Sequence, residues 1–296
     1  MSEHHPEIVC LNGEFLPLEH ARLYATDSAV LWGHSTFSTL RAERGHLLFP
    51  ELHFDRLYRG VSALGIPLTP DPQGLQQLCE TVLDANQLHT TTARVRITLS
   101  RGPVRQFMVP TEGEPTVLIT ATPLHDCSAA DWERGWRVVQ APYPLNEHSP
   151  LRSIKSGNYS EYLLAREYAR HREADEALLV NTRGRLAECA MANLFWFREG
   201  VLCTPHLSTG ALPGVMRATI LSLWKKAGRE ALEVETTPES LAHVEEMFCT
   251  NSAVLMMPIT RVGERFVAGG FAEAQTRSLF AELRHHVEET LRLRVN

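Results

Sequence analysis

Three features predict an α+β fold of two domains. The chain has 296 residues, enough for two domains with a sizeable core. Strand-like and helix-like stretches follow one another without the strict strand–helix–strand rhythm of a doubly wound sheet. A polar, loop-like stretch over residues 125–135, "HDCSAADWERG", separates two runs of such elements. The expected organisation is a small N-terminal domain at 1–124, a linker at 125–135, and a larger C-terminal domain at 136–296.

Taken in order, "IVCLNGEFLPL" (8–18) predicts two short strands around an Asn12-Gly13 turn. "HLLFPELHFDRLYRGVSALGIPL" (46–68) begins as a strand and continues as a helix. Its Leu52, Leu57, Val61 and Leu64 fall near one face, and Gly65 and Pro67 end it. "ARVRITLSRG" (93–102) and "PTVLITATPL" (115–124) are alternating or wholly apolar, as strands are. After the polar stretch, "WRVVQAPYPL" (136–145) predicts a strand and "SEYLLAREYARHR" (160–172) a helix. "EALLVN" and "NLFWF" predict strands, with a turn at "TRGR" between them, and "VLCTP" (201–205) another short strand. "LPGVMRATILSLWKKAG" (212–228) predicts a helix with Pro213 in its first turn and Gly228 past its end. "EMFCTNSAVLMMPI" supplies a further strand and a loop, and residues 271–294 a terminal amphipathic helix.

Composition narrows the function. A net charge of −6 gives no basic footprint for nucleic acid or an anionic membrane. No apolar run approaches the roughly 18–20 residues that span a bilayer, so no membrane partner is expected. The N-terminal "MSEHHPEIVC" carries acid and no apolar core, unlike a signal peptide. Cys10, Cys79, Cys127, Cys189, Cys203 and Cys249 are scattered, with no CxxC spacing and no zinc-type His cluster. A reduced, cytoplasmic protein without a metal site is expected.

Lysine is rare here. It stands only at 155, 225 and 226, while the remaining 26 of the 29 basic residues are Arg. Lys225 and Lys226 close a helix as solvated charges. Lys155 stands alone in "SIKSGNY". Unlike guanidinium, its amine can lose a proton and attack a carbonyl, so it is either a surface charge or a Schiff-base lysine. Glu188, in "LAECAMANLFWF", is a lone acid among small and apolar residues, and a carboxylate there needs a partner. That partner is either an Arg, such as Arg185, or a protonated heterocyclic nitrogen. In "TGALPGVMRA", Gly210, Pro213 and Gly214 lead into a helix whose first N–H groups, at Val215 and Met216, suit a phosphate, or make only a turn. Thr250 and Ser252 in "CTNSAVLMMP" would add phosphate contacts or cap a turn. An amine, a buried carboxylate and a phosphate cradle together are what pyridoxal 5'-phosphate requires.

The order Lys155, Glu188, "LPGVMR", "TNSA" resembles the class IV aminotransferase family, the fold-type IV pyridoxal-phosphate enzymes. "AECAMANLFWF" is similar to the family signature, with Asn193-Leu194-Phe195 five residues after the acid. The likeness runs from about Asn12 to Ile259, and "HFDRL" matches the family's phosphate-binding helix. The resemblance implies a small α/β-sandwich-like domain and a larger barrel-like domain. It also implies a homodimer, with the active site at the domain interface and a small amino compound as substrate. It implies that Lys155 is the Schiff-base lysine and general base, and that Glu188 pairs with the pyridine nitrogen. Leu212 would pack on the ring, and Arg56, Val215, Met216 and Ser252 would hold phosphate.

Within the family, two residues rather than three separate Lys155 from the Asn158-Tyr159 pair, and Met216 stands where aminotransferases commonly have Thr. The spacing is similar to that of aminodeoxychorismate lyases and D-amino-acid aminotransferases, while "ECAMANLFW", "GVMR" and "NSAVLMMP" are most similar to the aminodeoxychorismate lyases. The D-amino-acid enzymes carry a Pro-Arg-x-His element, where this chain reads Val104-Arg105-Gln106-Phe107. His34-Ser35 stands where an Asp-Gly is often found. The expected activity is therefore a lyase making 4-aminobenzoate and pyruvate from 4-amino-4-deoxychorismate in folate synthesis. The alternative is an aminotransferase of D-amino-acid or branched-chain type. Ser38 and Thr39 are candidates near the leaving oxygen, or strand hydroxyls satisfied by backbone. Arg105 and Arg41 are candidates for substrate carboxylates. A binding protein without catalysis would have no reason to keep Lys155 in so Lys-poor a chain.

Overall fold

The computed structural model describes residues 7–67, 70–104, 114–267 and 274–295. It divides into two compact units. One comprises Met1–Asp126, Ile154–Tyr159 and Thr290–Asn296, and the other Cys127–Ser153 and Ser160–Glu289. Helix and sheet are mixed in both, as the α+β expectation requires.

In the first unit β1 (Ile8–Leu11) and β2 (Glu14–Pro17) form a hairpin. Its turn places Asn12 and Gly13 at φ 54° and 89°, the left-handed values that Asn-Gly tolerates best. A short helix α1 (Ser28–Trp32) follows, capped by Asp27, whose carboxylate accepts the Ala29 N–H. Strand β3 (Ser35–Glu43), β4 (His46–Leu47), helices α2 (Pro50–Ala63) and α3 (Pro72–Ala85), and strands β5 (Thr92–Ser100) and β6 (Thr116–Pro123) complete it. The six strands run β2-β1-β6-β5-β3-β4, with every pairing antiparallel. Leu40, Val95, Ile97 and Leu99 of the sheet pack with Phe54, Leu57, Leu75 and Val82 of the two helices.

The buried face of α2 is not the one that apolar spacing predicts. Leu52 is 44% exposed, while His53, Phe54, Arg56, Leu57 and Gly60 turn inward. Two polar residues belong to the inner stripe, so a count of apolar positions alone rotates the helix. The edge of β3 is completed by the chain at 155–157. Phe37 N–H donates to Lys155 O, Gly157 N–H donates to Ser35 O, and Thr36 bridges to Ser156. Gly157 is needed for this approach, since a Cβ there would lie 2.1 Å from Ser35 Oγ.

The second unit opens with α4 (Ala129–Arg134), where the sequence predicts a polar loop. Ser128 and Asp131 form a reciprocal capping box that closes its first turn. Then come β7 (Trp136–Gln140), α5 (Ser160–Arg170), β8 (Glu176–Val180), β9 (Leu186–Cys189), β10 (Asn193–Arg198) and β11 (Val201–Pro205). They are followed by α6 (Val215–Lys226), β12 (Ala231–Val234), β13 (Glu246–Thr250), β14 (Met257–Val262), β15 (Arg265–Phe266) and α7 (Ala274–Val295), which begins in this unit. Pro213 lies outside α6 rather than in its first turn, because Gly214 is the N-cap.

The strand order is β12-β11-β10-β13-β14-β7-β8-β9, with β15 paired to β14. Strand β9 leads through residues 190–192 straight into β10, so one end of the sheet returns to its middle. This curling makes the half-barrel, and it sets β9, the start of β10 and the approach to α6 around one another. Helix α5 lays Ala165 and Ala169 against Val139, Ala177, Leu179 and Ala187. Helix α7 buries Leu279, Leu283 and Val287 at four-residue intervals. Among the described residues, no helix is long and apolar enough to cross a membrane, and no cluster of residues could hold a metal ion. All six cysteines are free thiols.

Candidate active site

Lys155 lies in the first unit, pinned through its own backbone. Its carbonyl accepts from Phe37 N–H at 2.9 Å and from Thr36 Oγ1 at 3.1 Å. The side chain extends among aromatic rings. Nζ is 4.8 Å from the Phe37 ring centroid and 5.1 Å from that of Tyr159, and 3.5 Å from the Tyr159 hydroxyl. Phe37 and Tyr159 meet edge to face at 5.3 Å, and the Arg96 guanidinium stacks over Phe37 at 3.9 Å.

Arg56, on the inner face of α2, is 5% exposed. Its Nη2 donates to Ser38 Oγ at 3.4 Å, and that oxygen lies 2.8 Å from His53 Nδ1. Burial above all, and then the positive charges of Arg56 and Lys155, hold His53 well below the usual histidine range, so it is neutral. Burial also brings Arg56 down to about 10, which leaves it a cation at neutral pH. Ser38, fully buried, is committed to this pair. Thr39 faces the other way along β3, opposite Arg96 of β5.

Arg41 requires correction as a carboxylate-binding candidate. It is 2% exposed, and its guanidinium is paired with Glu43 at 2.7 Å and with Asp126. A buried cation in that setting neutralises its own partners rather than a substrate. Arg105 lies outside the described residues.

In the second unit Glu188 sits mid-strand in β9, 3% exposed. Three donors meet its carboxylate. Tyr162 Oη reaches Oε1 at 2.9 Å, while the Leu212 N–H at 3.0 Å and Asn193 Nδ2 at 3.4 Å reach Oε2. Asn193 also donates to Leu212 O at 2.8 Å, which clamps the segment entering α6 onto the start of β10. That helix starts at Gly214 with no side chain capping its amide groups. The side chains of Val215 and Met216 are buried, which leaves the backbone N–H groups as what this end offers an anion. A Cβ at Gly214 would lie 1.9 Å from Asn193 Oδ1.

The segment holding Ser252 is an Asn-centred turn. Asn251 Oδ1 accepts from the N–H groups of Ala253 and Val254, and its Nδ2 donates to Met191 O. Thr250 closes the same loop by donating to Leu255 O.

Sequence reasoning did not single out Tyr159, Tyr162, Arg152 or His53. Tyr159 is four residues from Lys155, close enough to be sought there. The others join the site only through the fold.

The donor set fits pyridoxal 5'-phosphate. The first unit offers an amine among rings and a buried arginine, and the second an uncapped helix start and a carboxylate that accepts from three donors. Comparison with known proteins agrees. The model for amino-transferase class IV matches residues 35–262. The branched-chain-amino-acid aminotransferase of Escherichia coli K12 is 28% identical over 273 residues, 86% of this chain and 85% of its own. The aminodeoxychorismate lyase of Bacillus subtilis is 27% identical over 260 residues, 87% of each chain. The crystal structure of an Escherichia coli branched-chain aminotransferase superposes with a TM-score of 0.87 at 26% identity, covering 93% of this chain and 92% of that one. A family match over most of the chain, on a fold shared along nearly its whole length, makes this protein a member of the class IV aminotransferase family, the pyridoxal-5'-phosphate enzymes of fold type IV.

Proposed function

We propose that this protein is an aminotransferase that moves the amino group of a branched-chain amino acid to a 2-oxo acid. The observation that carries the reading is the double similarity to the Escherichia coli branched-chain enzyme, in sequence over 86% of the chain and in structure at a TM-score of 0.87. The lyase favoured by the sequence rested partly on Met216. The Met216 side chain is 3% exposed, so this position offers an anion its backbone N–H rather than its side chain.

Pyridoxal 5'-phosphate, when bound, supplies an aldehyde that takes up the amino group and a ring that accepts electrons. Lys155 would be the amine that holds the aldehyde; once displaced by the donor's amine, its Nζ would take the proton from the donor's α-carbon and, in the second half-reaction, supply one to the α-carbon derived from the 2-oxo acid. The Tyr159 hydroxyl, 3.5 Å away, orients that amine. Glu188, fixed at both oxygens, keeps a proton on the pyridine nitrogen. Arg56, the N–H groups of Val215 and Met216, and Ser252 would hold the phosphate, and Leu212 would pack on the ring. We further propose a cytoplasmic homodimer.

A second reading, the lyase, is supported by the Bacillus subtilis relative and by the short spacing in "KSGNY". One experiment separates the two. L-Valine, L-leucine or L-isoleucine, added alone, should yield one equivalent of 2-oxo acid and stop, and adding 2-oxoglutarate should restart turnover. Conversion of aminodeoxychorismate to 4-aminobenzoate and pyruvate without any 2-oxo acid, with the amino acids untouched, would establish the lyase instead.

A further inference from the structure

We propose that Arg152 and Tyr162 act as a positioning pair for Glu188, reaching it in series from outside the cofactor's own contacts. The inference rests on the reading of Glu188 as the partner of the pyridine nitrogen. Arg152 belongs to the turn Pro150–Ser153, and Tyr162 to the first turn of α5. Arg152 Nη1 lies 2.7 Å from Tyr162 Oη, and Tyr162 Oη lies 2.9 Å from Glu188 Oε1.

The direction of this chain is forced by chemistry. Guanidinium carries donors and no acceptor, so it occupies a lone pair of the phenol oxygen. The single phenol proton then points at Glu188. Tyr162 is thus a fixed donor to the carboxylate, polarised from behind by a positive charge, and it favours the ionised form of Glu188. Glu161, next to Tyr162 on α5, pairs with the Nη2 arm of Arg152 and fixes the guanidinium plane.

The geometry also explains why one more donor matters. Leu212 N–H and Asn193 both act on Oε2. Of the three donors described, only Tyr162 acts on Oε1. Loss of the hydroxyl would remove a donor from Oε1 and loosen the hold on the orientation of the carboxylate. A carboxylate that turns would hold the ring nitrogen less firmly and protonate it less completely.

The test titrates cofactor-free protein with pyridoxal 5'-phosphate, followed by absorbance, with thermal unfolding of the same samples to count folded molecules. Tyr162→Phe keeps the ring and should weaken cofactor affinity on the order of tenfold. Arg152→Met should weaken it less, and Arg152→Lys should recover part of that loss. The double variant should match Tyr162→Phe alone, because Arg152 acts only through Tyr162. Turnover should fall in kcat, with KM for the amino donor unchanged. Losses that add in the double variant, or normal affinity per folded molecule in Tyr162→Phe, would overturn the proposal. Glu188→Gln is the control. If it loses affinity or turnover and Tyr162→Phe loses neither, the positioning pair is wrong and the role of Glu188 stands. If Glu188→Gln itself behaves as wild type, the role of Glu188 is wrong and the pair falls with it.

Discussion

Glu176 carries a sharp pH prediction. It opens β8, is 1% exposed, and accepts the Ala177 N–H at 2.8 Å. Burial pushes its carboxyl from the ordinary 4.5 up to about 7. The Ala177 and Met191 N–H groups and the charge of Arg166 oppose the rise, and Glu188 adds to it. Cys189 and Cys249 have thiols raised by the same burial, with the Glu176 charge contributing. The sign follows from proton counts. Below 4.5 the group is neutral in both states. Between 4.5 and about 7 the unfolded chain has lost the proton and the folded one keeps it, so stability falls as pH rises. Above about 7 both are ionised and the penalty is constant. At about 1.4 kcal/mol per pH unit the interval is worth roughly 3 kcal/mol.

Glu176→Gln keeps an acceptor for Ala177 and removes the titration. Urea unfolding of both cofactor-free proteins should be compared at pH 5, 6, 7 and 8. The stability of the variant relative to wild type should climb with pH, by up to roughly 3 kcal/mol, and level off near pH 8. Parallel curves would refute the reasoning, since they would mean that Glu176 ionises alike in both states. The same titration bears on the site, because a protonated Glu176 adds no negative charge beside Glu188.

Two further perturbations test the site directly. Lys155→Arg keeps the charge and should cost turnover roughly a thousandfold or more, because guanidinium cannot condense with an aldehyde. Borohydride should fix the cofactor to the Lys155 peptide in wild type and to no peptide in the variant. Gly214→Ala places a Cβ 1.9 Å from Asn193 Oδ1 and 3.1 Å from its Cγ, so Asn193 must leave Leu212 and Glu188. A loss of about 1–3 kcal/mol in stability, together with weaker cofactor binding, is expected by unfolding and titration, and no change in either would sink this account.

The fold was legible wherever its cause is local. Asn12-Gly13 reads as a hairpin because only such residues accept two left-handed φ values at little cost. Residues buried four apart in α7 read as a helix face. Strand β9 did not read as a strand, since four residues with an acid in the middle have no pattern of their own and become a strand only by pairing with β8. The inner face of α2 was misjudged because the polar His53 and Arg56 share the buried stripe, which apolar periodicity cannot register. The Ser128 and Asp131 box was present in the sequence, in a stretch whose polarity suggested a loop.

The site divides along the same line. Lys155 stands out by composition, and Glu188 by its apolar neighbours, so each could be picked from its own surroundings. What makes Glu188 useful could not. Its three donors come from positions 26, 5 and 24 residues away along the chain, on a helix, a strand and a loop. They converge because the sheet curls until β9 meets β10 and because Asn193 ties Leu212 to that junction. Arg41 shows the converse. In sequence it is one more arginine on a strand with a substrate-binding air, and the partner that closes off that reading, Asp126, is 85 residues away. An unusual residue type therefore announces a chemical role by itself, whereas the orientation and charge state that let it perform the role belong to closure of the fold. It follows that substitutions at Tyr162 and Arg152, unremarkable in sequence, should move cofactor affinity, while Arg41, conspicuous in sequence, should move only stability.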